Sequence, residues 1–272
     1  MKIPSIRLAD GHTIPQIALG TWQNRDEAEF QTAFSAAIEA GYRHFDSAQA
    51  YGNEQYLGAA WQRSGLKRDE LFLTTKIAVQ HFGRRKAEQT FATSLEKLNT
   101  DYVDLLLLHF PVPVLRKPTW QALEQIQSEG GAHSIGVSNY TIRHLKEMET
   151  YAKVKPAVNQ VELHLFLQQP ELVKYCQDND ITVEAYSPLA RSSVQDNETI
   201  QEVADKHHKT YAQIMLRWLV EQDLVILPKS VTPSRIRENI DIFDFKLDAD
   251  DYQRLVALDQ DMRTCWSPVY VP

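Results

Sequence analysis

The sequence predicts an α/β fold, a (β/α)8 TIM barrel with an N-terminal β-hairpin, and three observations carry that prediction. Eight short apolar runs recur along the 272 residues, each followed by a polar stretch with helical periodicity. Such alternation implies a parallel sheet, and strands apolar along their length imply a sheet covered on both faces. Eight such units in about 250 residues is the size of a closed barrel. An open doubly wound sheet is the competing architecture, but no G-x-G-x-x-G follows any of the runs.

The elements follow in order. At the start, IRL and TIPQIAL flank Ala9-Asp10-Gly11-His12, and Asp-Gly between apolar runs signals a tight hairpin turn. The barrel strands are expected in IALG (17–20), HFDS (44–47), LFLTTK (71–76), VDLLLLHF (103–110), HSIGVSN (133–139), VNQVEL (158–163), TVEAYSP (182–188) and LVILPKS (224–230). Between them, DEAEFQTAFSAAIEAG puts Phe30, Phe34, Ala37 and Ile38 on one helical face and stops at Gly41. RRKAEQTFATSLEKL repeats the pattern with Phe91, Leu95 and Leu98. PTWQALEQIQSEGG places Pro118 at a helix start and Gly130-Gly131 at its end. YAQIMLRWLVEQD is apolar on nearly every face and is expected to be well buried.

Composition narrows the function. Apolar residues make up 43% and charged residues 24%, the balance of an ordinary globular protein. A net charge of -7 argues against general nucleic-acid binding, which needs a basic footprint. No apolar stretch has the length of a membrane span, and MKIPSIRLADGHTIP has no apolar core of signal-peptide length. Cys176 and Cys265 lie far apart, so neither a disulfide framework nor a metal site is readable. The expectation is one domain over residues 1–272, a cytoplasmic monomer acting on a small molecule.

In a barrel of this type, function gathers where the strands end and the loops to the helices begin. Every run here ends in a distinctive polar group: Gly20-Thr21-Trp22, Asp46 with Tyr51 in its loop, Thr75-Lys76, His109, Ser138-Asn139, Gln160, Tyr186-Ser187-Pro188 and Lys229-Ser230. Singly, each has a bland explanation. Asp46 is a loop cap, Lys76 a snorkelling surface lysine, and His109 a satisfied core histidine. Four ionisable groups at three successive strand ends make joint coincidence a weaker account. A phenol titrates near 10 and needs help to act as an acid at neutral pH. A neighbouring ammonium lowers that value, and a carboxylate beside the lysine holds the ammonium in place. Asp46, Lys76 and Tyr51 would thus form a relay whose phenol gives a proton to a developing alkoxide, with His109 orienting the carbonyl.

The stretches GYRHFDSAQAYGNE (41–54), TTK (74–76), DYVDLLLLHFP (101–111), IGVSN (135–139), NQVELH (159–164), AYSPLA (185–190) and ILPKSVTPSRIRENI (226–240) resemble the aldo-keto reductases along nearly the whole chain. Short-looped bacterial reductases of 2,5-diketo-gluconate and methylglyoxal are the nearest in style. The resemblance implies NADPH-dependent reduction of aldehydes, ketones or dicarbonyls, without a metal. It makes Tyr51 the general acid, Lys76 the group that lowers its pKa, Asp46 the holder of Lys76, and His109 the substrate-orienting group. NADPH/NADP+ would lie across the barrel mouth against Gly20, Thr21, Trp22 and Asp46. Ser138, Asn139 and Gln160 would hold the carboxamide and Tyr186 would stack on the nicotinamide. Ser187 and Leu189 would follow the pyrophosphate. Lys229, Ser230 and Arg235 would grip the 2′-phosphate, Glu238 and Asn239 would meet the adenine, and Val231 would also line the cofactor site. Lys229 and Arg235 also flank a helix start after Pro233, a natural phosphate site.

The substrate would meet Trp22, Tyr51, His109, Phe110 and Trp266. Many relatives carry Trp where Phe110 stands, so the pocket wall differs. The loop Ala190-Arg191-Ser192-Ser193 is too short for a long strap over the cofactor, and a short C-terminal tail should leave the pocket open. Two other readings compete: a non-catalytic binding subunit or structural protein that keeps the nucleotide site, and a barrel aldolase or isomerase with Lys76 as a Schiff base.

Overall fold

The computed structural model describes residues 3–272; Met1 and Lys2, at the head of the N-terminal stretch read above, lie outside the described residues. Strands β1 (Ser5–Arg7) and β2 (Thr13–Pro15) form the antiparallel hairpin, with Ile6 opposite Ile14. Gly11 supplies the positive φ of 93° that the turn needs.

Eight parallel strands follow: β3 (Ala18–Gly20), β4 (His44–Asp46), β5 (Phe72–Ile77), β6 (Val103–Leu108), β7 (Ala132–Ser138), β8 (Val158–Glu162), β9 (Thr182–Tyr186) and β10 (Val225–Leu227). Each pairs with the next in chain order. The ring closes where β10 returns to β3: Ile226 N donates to Gln16 O at 3.0 Å and Gly20 N to Pro228 O at 3.1 Å. All eight sit within the apolar runs read from the sequence, apart from one-residue overhangs at Ile77 and Ala132.

The pleat sorts side chains into two layers. On β5, Leu73 and Ile77 join the large cluster between barrel and helices. Phe72 belongs instead to the small inner cluster with Ala18, Leu105, Leu107, Val158, Val225 and Leu227. Leu8 and Ile14 of the hairpin join that inner cluster, so the hairpin plugs the N-terminal end of the barrel. By the period of two, Thr74 and Lys76 share the inward face with Phe72.

Among the described residues ten α-helices surround the ring: α1 (Glu27–Ala40), α2 (Glu54–Arg63), α3 (Arg84–Leu98), α4 (Arg116–Ser128), α5 (Ile142–Met148), α6 (Pro170–Asp178), α7 (Glu198–His207), α8 (Tyr211–Val220), α9 (Pro233–Ile240) and α10 (Ala249–Val256). Asp26 caps α1 by accepting from Glu29 N at 2.8 Å, and Gly41 stops it at φ 105°. α3 spans the stretch read for it. Pro118 is the third residue of α4 rather than its first, because the chain already turns at Pro113 to Leu115. A proline is tolerated there, since N–H groups of the first turn have no helical partner. Two strands are each followed by two helices, β9 by α7 and α8 and β10 by α9 and α10, and Ala212 to Val220 of α8 are all buried.

Candidate active site

Asp46 ends β4 and Lys76 lies near the end of β5, inside the barrel and fully buried. Lys76 Nζ donates to Asp46 Oδ1 at 2.6 Å and Oδ2 at 2.7 Å, to Ser47 O at 2.9 Å, and to Tyr51 Oη at 3.4 Å. An ammonium has no lone pair, so the Tyr51 oxygen must be the acceptor. The phenol hydrogen therefore points elsewhere. Tyr51 reaches this place because β4 runs into a short 3-10 turn (Gln49–Tyr51), closed by Gly52 at φ 68°. Gln49 clamps the turn to the β5 loop, with its Oε1 accepting from Ala78 N at 3.0 Å. Buried Asn53 ties it to the first loop by donating to Thr21 O at 2.8 Å and Asn24 O at 3.0 Å.

His109 follows β6, and its ring stands edge-on to Tyr51 with centroids 5.7 Å apart. Burial, helped by repulsion from Lys76, takes His109 down to about 3, so it is neutral at physiological pH. Burial alone would lower Lys76, but the Asp46 carboxylate outweighs it and holds the ammonium above its ordinary value. For Tyr51 burial is the largest influence and pushes the phenol up; Lys76 pulls it down, and Asp46 pushes it up again. The sequence expectation of a lowered Tyr51 is thus corrected. The lysine acts in the expected direction, but burial wins and the net shift is upward. Tyr51 is therefore a fully protonated phenol at neutral pH.

Around the tetrad the structure gathers Ser138, Asn139, Gln160 and Tyr186. Ser138 Oγ donates to Gln160 O at 2.9 Å, Asn139 Nδ2 to His109 O at 3.1 Å, and Tyr186 Oη to Asn139 Oδ1 at 2.7 Å. Gly20 and Lys229 meet at the barrel seam, while Thr21 Oγ1 donates to Asp46 O at 2.9 Å. Trp22 is partly exposed beneath the Arg191 guanidinium, 4.8 Å from its ring centre. Ser187, Ala190, Arg191 and Ser192 all take positive φ, a tight local coil that keeps this loop short. Leu189 packs on the outer core.

Ser230 is buried and its Oγ accepts from Thr232 N at 3.1 Å, shaping the entry to α9. Lys229 and Arg235 are exposed, Val231 half-buried. Among the described residues no carboxylate pairs with either cation, whereas neighbouring Arg237 pairs with Glu39 at 3.2 Å. Glu238 Oε1 accepts from Thr210 Oγ1 at 2.6 Å, and Asn239 is buried, so both already serve the packing of α9. Phe110 is half-buried beside His109, but Trp266 is 84% exposed and contributes no packed wall.

The last ten residues read as a loop folded over something, but sequence reasoning missed the inner pair Glu184 and His44 and the contacts that hold the C-terminal segment. Glu184 and His44 lie on the inward face, each two residues before Tyr186 and Asp46, and that alternation was the available signal. The C-terminal segment does fold over the barrel mouth, held by buried Glu162, which accepts from Thr264 N at 2.6 Å and Cys265 N at 3.2 Å. Arg191 also reaches this segment, donating to Cys265 Sγ at 3.0 Å. No sequence pattern announced these last contacts.

Among the described residues no cluster of side chains could hold a metal ion, and no helix is long and apolar enough to cross a membrane. A profile of the Aldo/keto reductase family matches residues 16–260. The chain is 43% identical to the methylglyoxal reductase DkgA of Escherichia coli O157:H7, over 95% of this chain and 94% of that protein. It superposes with TM-score 0.96 on an aldo-keto reductase enzyme from a Medee basin deep-sea metagenome library, at 39% identity, covering 98% of this chain and 100% of that one. A Bombyx mori aldo-keto reductase in complex with NADP matches with TM-score 0.91 at 34% identity, covering 97% of this chain and 95% of that one. With its barrel, its strand-end residues and these matches together, the chain belongs to the aldo/keto reductase family.

Proposed function

We propose that this oxidoreductase reduces the carbonyl of small aldehydes and vicinal dicarbonyls with NADPH, and that Tyr51 is its general acid. The observation that carries the reading is the Tyr51 oxygen accepting from a buried Lys76 that Asp46 grips with both oxygens. That contact leaves the phenol proton free for a substrate. An alkoxide is a far stronger base than a tyrosinate, so a phenol held above its ordinary value still gives up its proton once negative charge develops on oxygen. Neutral His109 can donate one ring N–H to the same oxygen and fix the carbonyl's direction.

The residues present fit NADPH. Lys229 and Arg235, without carboxylate partners among the described residues, stand with Ser230 at the start of α9, a donor set suited to a phosphate monoester. The half-buried Tyr186 ring, steadied by Asn139, suits a planar heterocycle. When bound, NADPH supplies the hydride that adds to the carbonyl carbon. The relative named methylglyoxal reductase and the neighbour solved with NADP support the same substrate class and cofactor.

The Schiff-base alternative is disfavoured by Lys76 itself. Its nitrogen is fully buried, saturated with acceptors and held as an ammonium, which has no lone pair for attack. A non-catalytic binding role leaves the pre-paired tetrad without a purpose. The deciding experiment mixes the protein with methylglyoxal and follows NADPH absorbance, for wild type and Tyr51→Phe. Turnover should fall about 10²-fold or more in the variant while NADPH still binds. Near-normal turnover by Tyr51→Phe would remove the general acid from this scheme.

A further inference from the structure

Beneath the Asp46–Lys76 pair lies a second carboxyl that the scheme above does not use. Glu184 comes from β9, is fully buried, and stands in register with Gln160 on β8 and Val225 on β10. Gln160 Nε2 donates to both carboxyls, to Asp46 Oδ2 and to Glu184 Oε2, each at 2.9 Å. Chemistry settles that amide's orientation: turned over, its carbonyl oxygen would face two carboxyl groups. Glu184 Oε1 has no hydrogen-bond partner among the described residues, and His44 Nε2 is 4.0 Å away, engaged with Thr74 Oγ1 at 3.0 Å. The groups facing Glu184 are His44 and Asp46 from β4, Lys76 from β5 and Gln160 from β8; β10 offers apolar Val225 and Leu227.

This enclosed space holds one ammonium and two carboxyls, and Asp46 already occupies the ammonium with both oxygens. A second carboxylate would leave the barrel interior with an uncompensated buried charge, which is costly. Burial, and next the Asp46 charge, push Glu184 up to about 8. Burial takes His44 down to about 3, so that ring offers no compensating charge.

We propose that Glu184 is a positioning residue for carbonyl reduction: as a neutral acid it locks the Gln160 amide and leaves the Lys76 charge to Asp46 and Tyr51 alone. The inference rests on the reductase reading of Tyr51 given above. With both Gln160 N–H groups committed downward, Oε1 is left as that side chain's uncommitted acceptor, the polarity that a carboxamide NH2 would meet. When Glu184 loses its proton, a second negative charge competes for Lys76 and disfavours the tyrosinate that proton donation must create. Reduction should then slow as pH rises through the Glu184 titration.

The test is the pH profile of NADPH-dependent methylglyoxal reduction between about pH 6 and about pH 9.5, each variant scaled to its own maximum. Glu184→Gln keeps the shape and the acceptor but cannot ionise. Its alkaline fall should lie about one pH unit or more above that of wild type. A structural role alone would change the maximum and leave the midpoint in place. A second measurement needs no variant activity: the infrared carbonyl stretch of a protonated carboxyl, present in wild type at neutral pH and fading as pH rises through about 8. Should Glu184→Gln fail to fold, that titration in wild type decides. An unmoved alkaline midpoint, or no protonated carboxyl at neutral pH, overturns the Glu184 assignment. Retained turnover in Tyr51→Phe, measured alongside, would instead overturn the reaction scheme beneath it.

Discussion

On the floor of the barrel mouth, Lys76 is fully buried and every direction its ammonium can donate in is already taken. On the rim, Lys229 and Arg235 are the same sign of charge, yet they stand in solvent at the start of α9 without a carboxylate among the described residues. The floor cation is engaged by folding itself, so its removal should register in stability as well as chemistry. In their proposed role the rim cations would gain partners only when a ligand arrives, so their removal should register in affinity alone. What separates the two regions is when each charge acquires its partner.

The largest effect is expected from Lys76→Met. It strands Asp46 as a buried carboxylate, and breaking such a pair costs about 3–5 kcal/mol. Turnover should fall about 10²-fold or more as well, because Tyr51 loses its positive neighbour. Urea unfolding and single-turnover reduction check both halves. A Lys76→Met protein with wild-type stability would mean that the floor is not held by its ion pair.

Next comes acid sensitivity. His109 is neutral in the fold, with a pKa depressed to about 3 from its ordinary value near 6.5. Its contribution is fully present above the unfolded value and is lost as pH falls toward the folded one, by at most about 1.4 kcal/mol per pH unit. The Tm advantage of wild type over His109→Gln should therefore shrink between about pH 6.5 and pH 4. A constant difference would mean that the ring is already charged or well solvated.

For the rim, Arg235→Ala should weaken NADPH binding at least about tenfold, leave NADH binding nearly unchanged, and flatten the salt dependence of NADPH affinity. Tm without cofactor should not move. Titration of tryptophan fluorescence with both cofactors resolves this, and equal losses would place Arg235 on the shared part of the dinucleotide. The smallest effect belongs to Trp266→Ala. With 84% of that residue in solvent, kcat/KM for methylglyoxal should change by less than about twofold. A larger loss would show that the tail closes inward during turnover.

The same divide governs what could be read from sequence. Asp46, Lys76 and His109 were legible because each ends an apolar run, and a barrel makes that position meaningful. α1 and α3 were legible from their apolar spacing, and α1 also from its stop at Gly41. The direction of the Tyr51 shift was not, because it depends on how much burial opposes Lys76, and burial is set by neighbours far along the chain. Glu184 shared an inward face with Tyr186, but its partner Gln160 lies on another strand and Asp46 on a third. Arg191 over Trp22 and Glu162 beneath Thr264 join loops that no local pattern links.

The seam where β10 meets β3 has a consequence for how the molecule is made. Those are the first and last strands of the ring, so their pairing carries the longest sequence separation in the sheet and is expected to form late. A chain still emerging from the ribosome can align β4 through β9, yet it keeps two open strand edges until Val225–Leu227 arrives. Open edges invite pairing between chains. Lys229 and Arg235 follow that closing strand. In their proposed role, a dinucleotide would grip only a completed ring and could not rescue a chain arrested before the last strand is made.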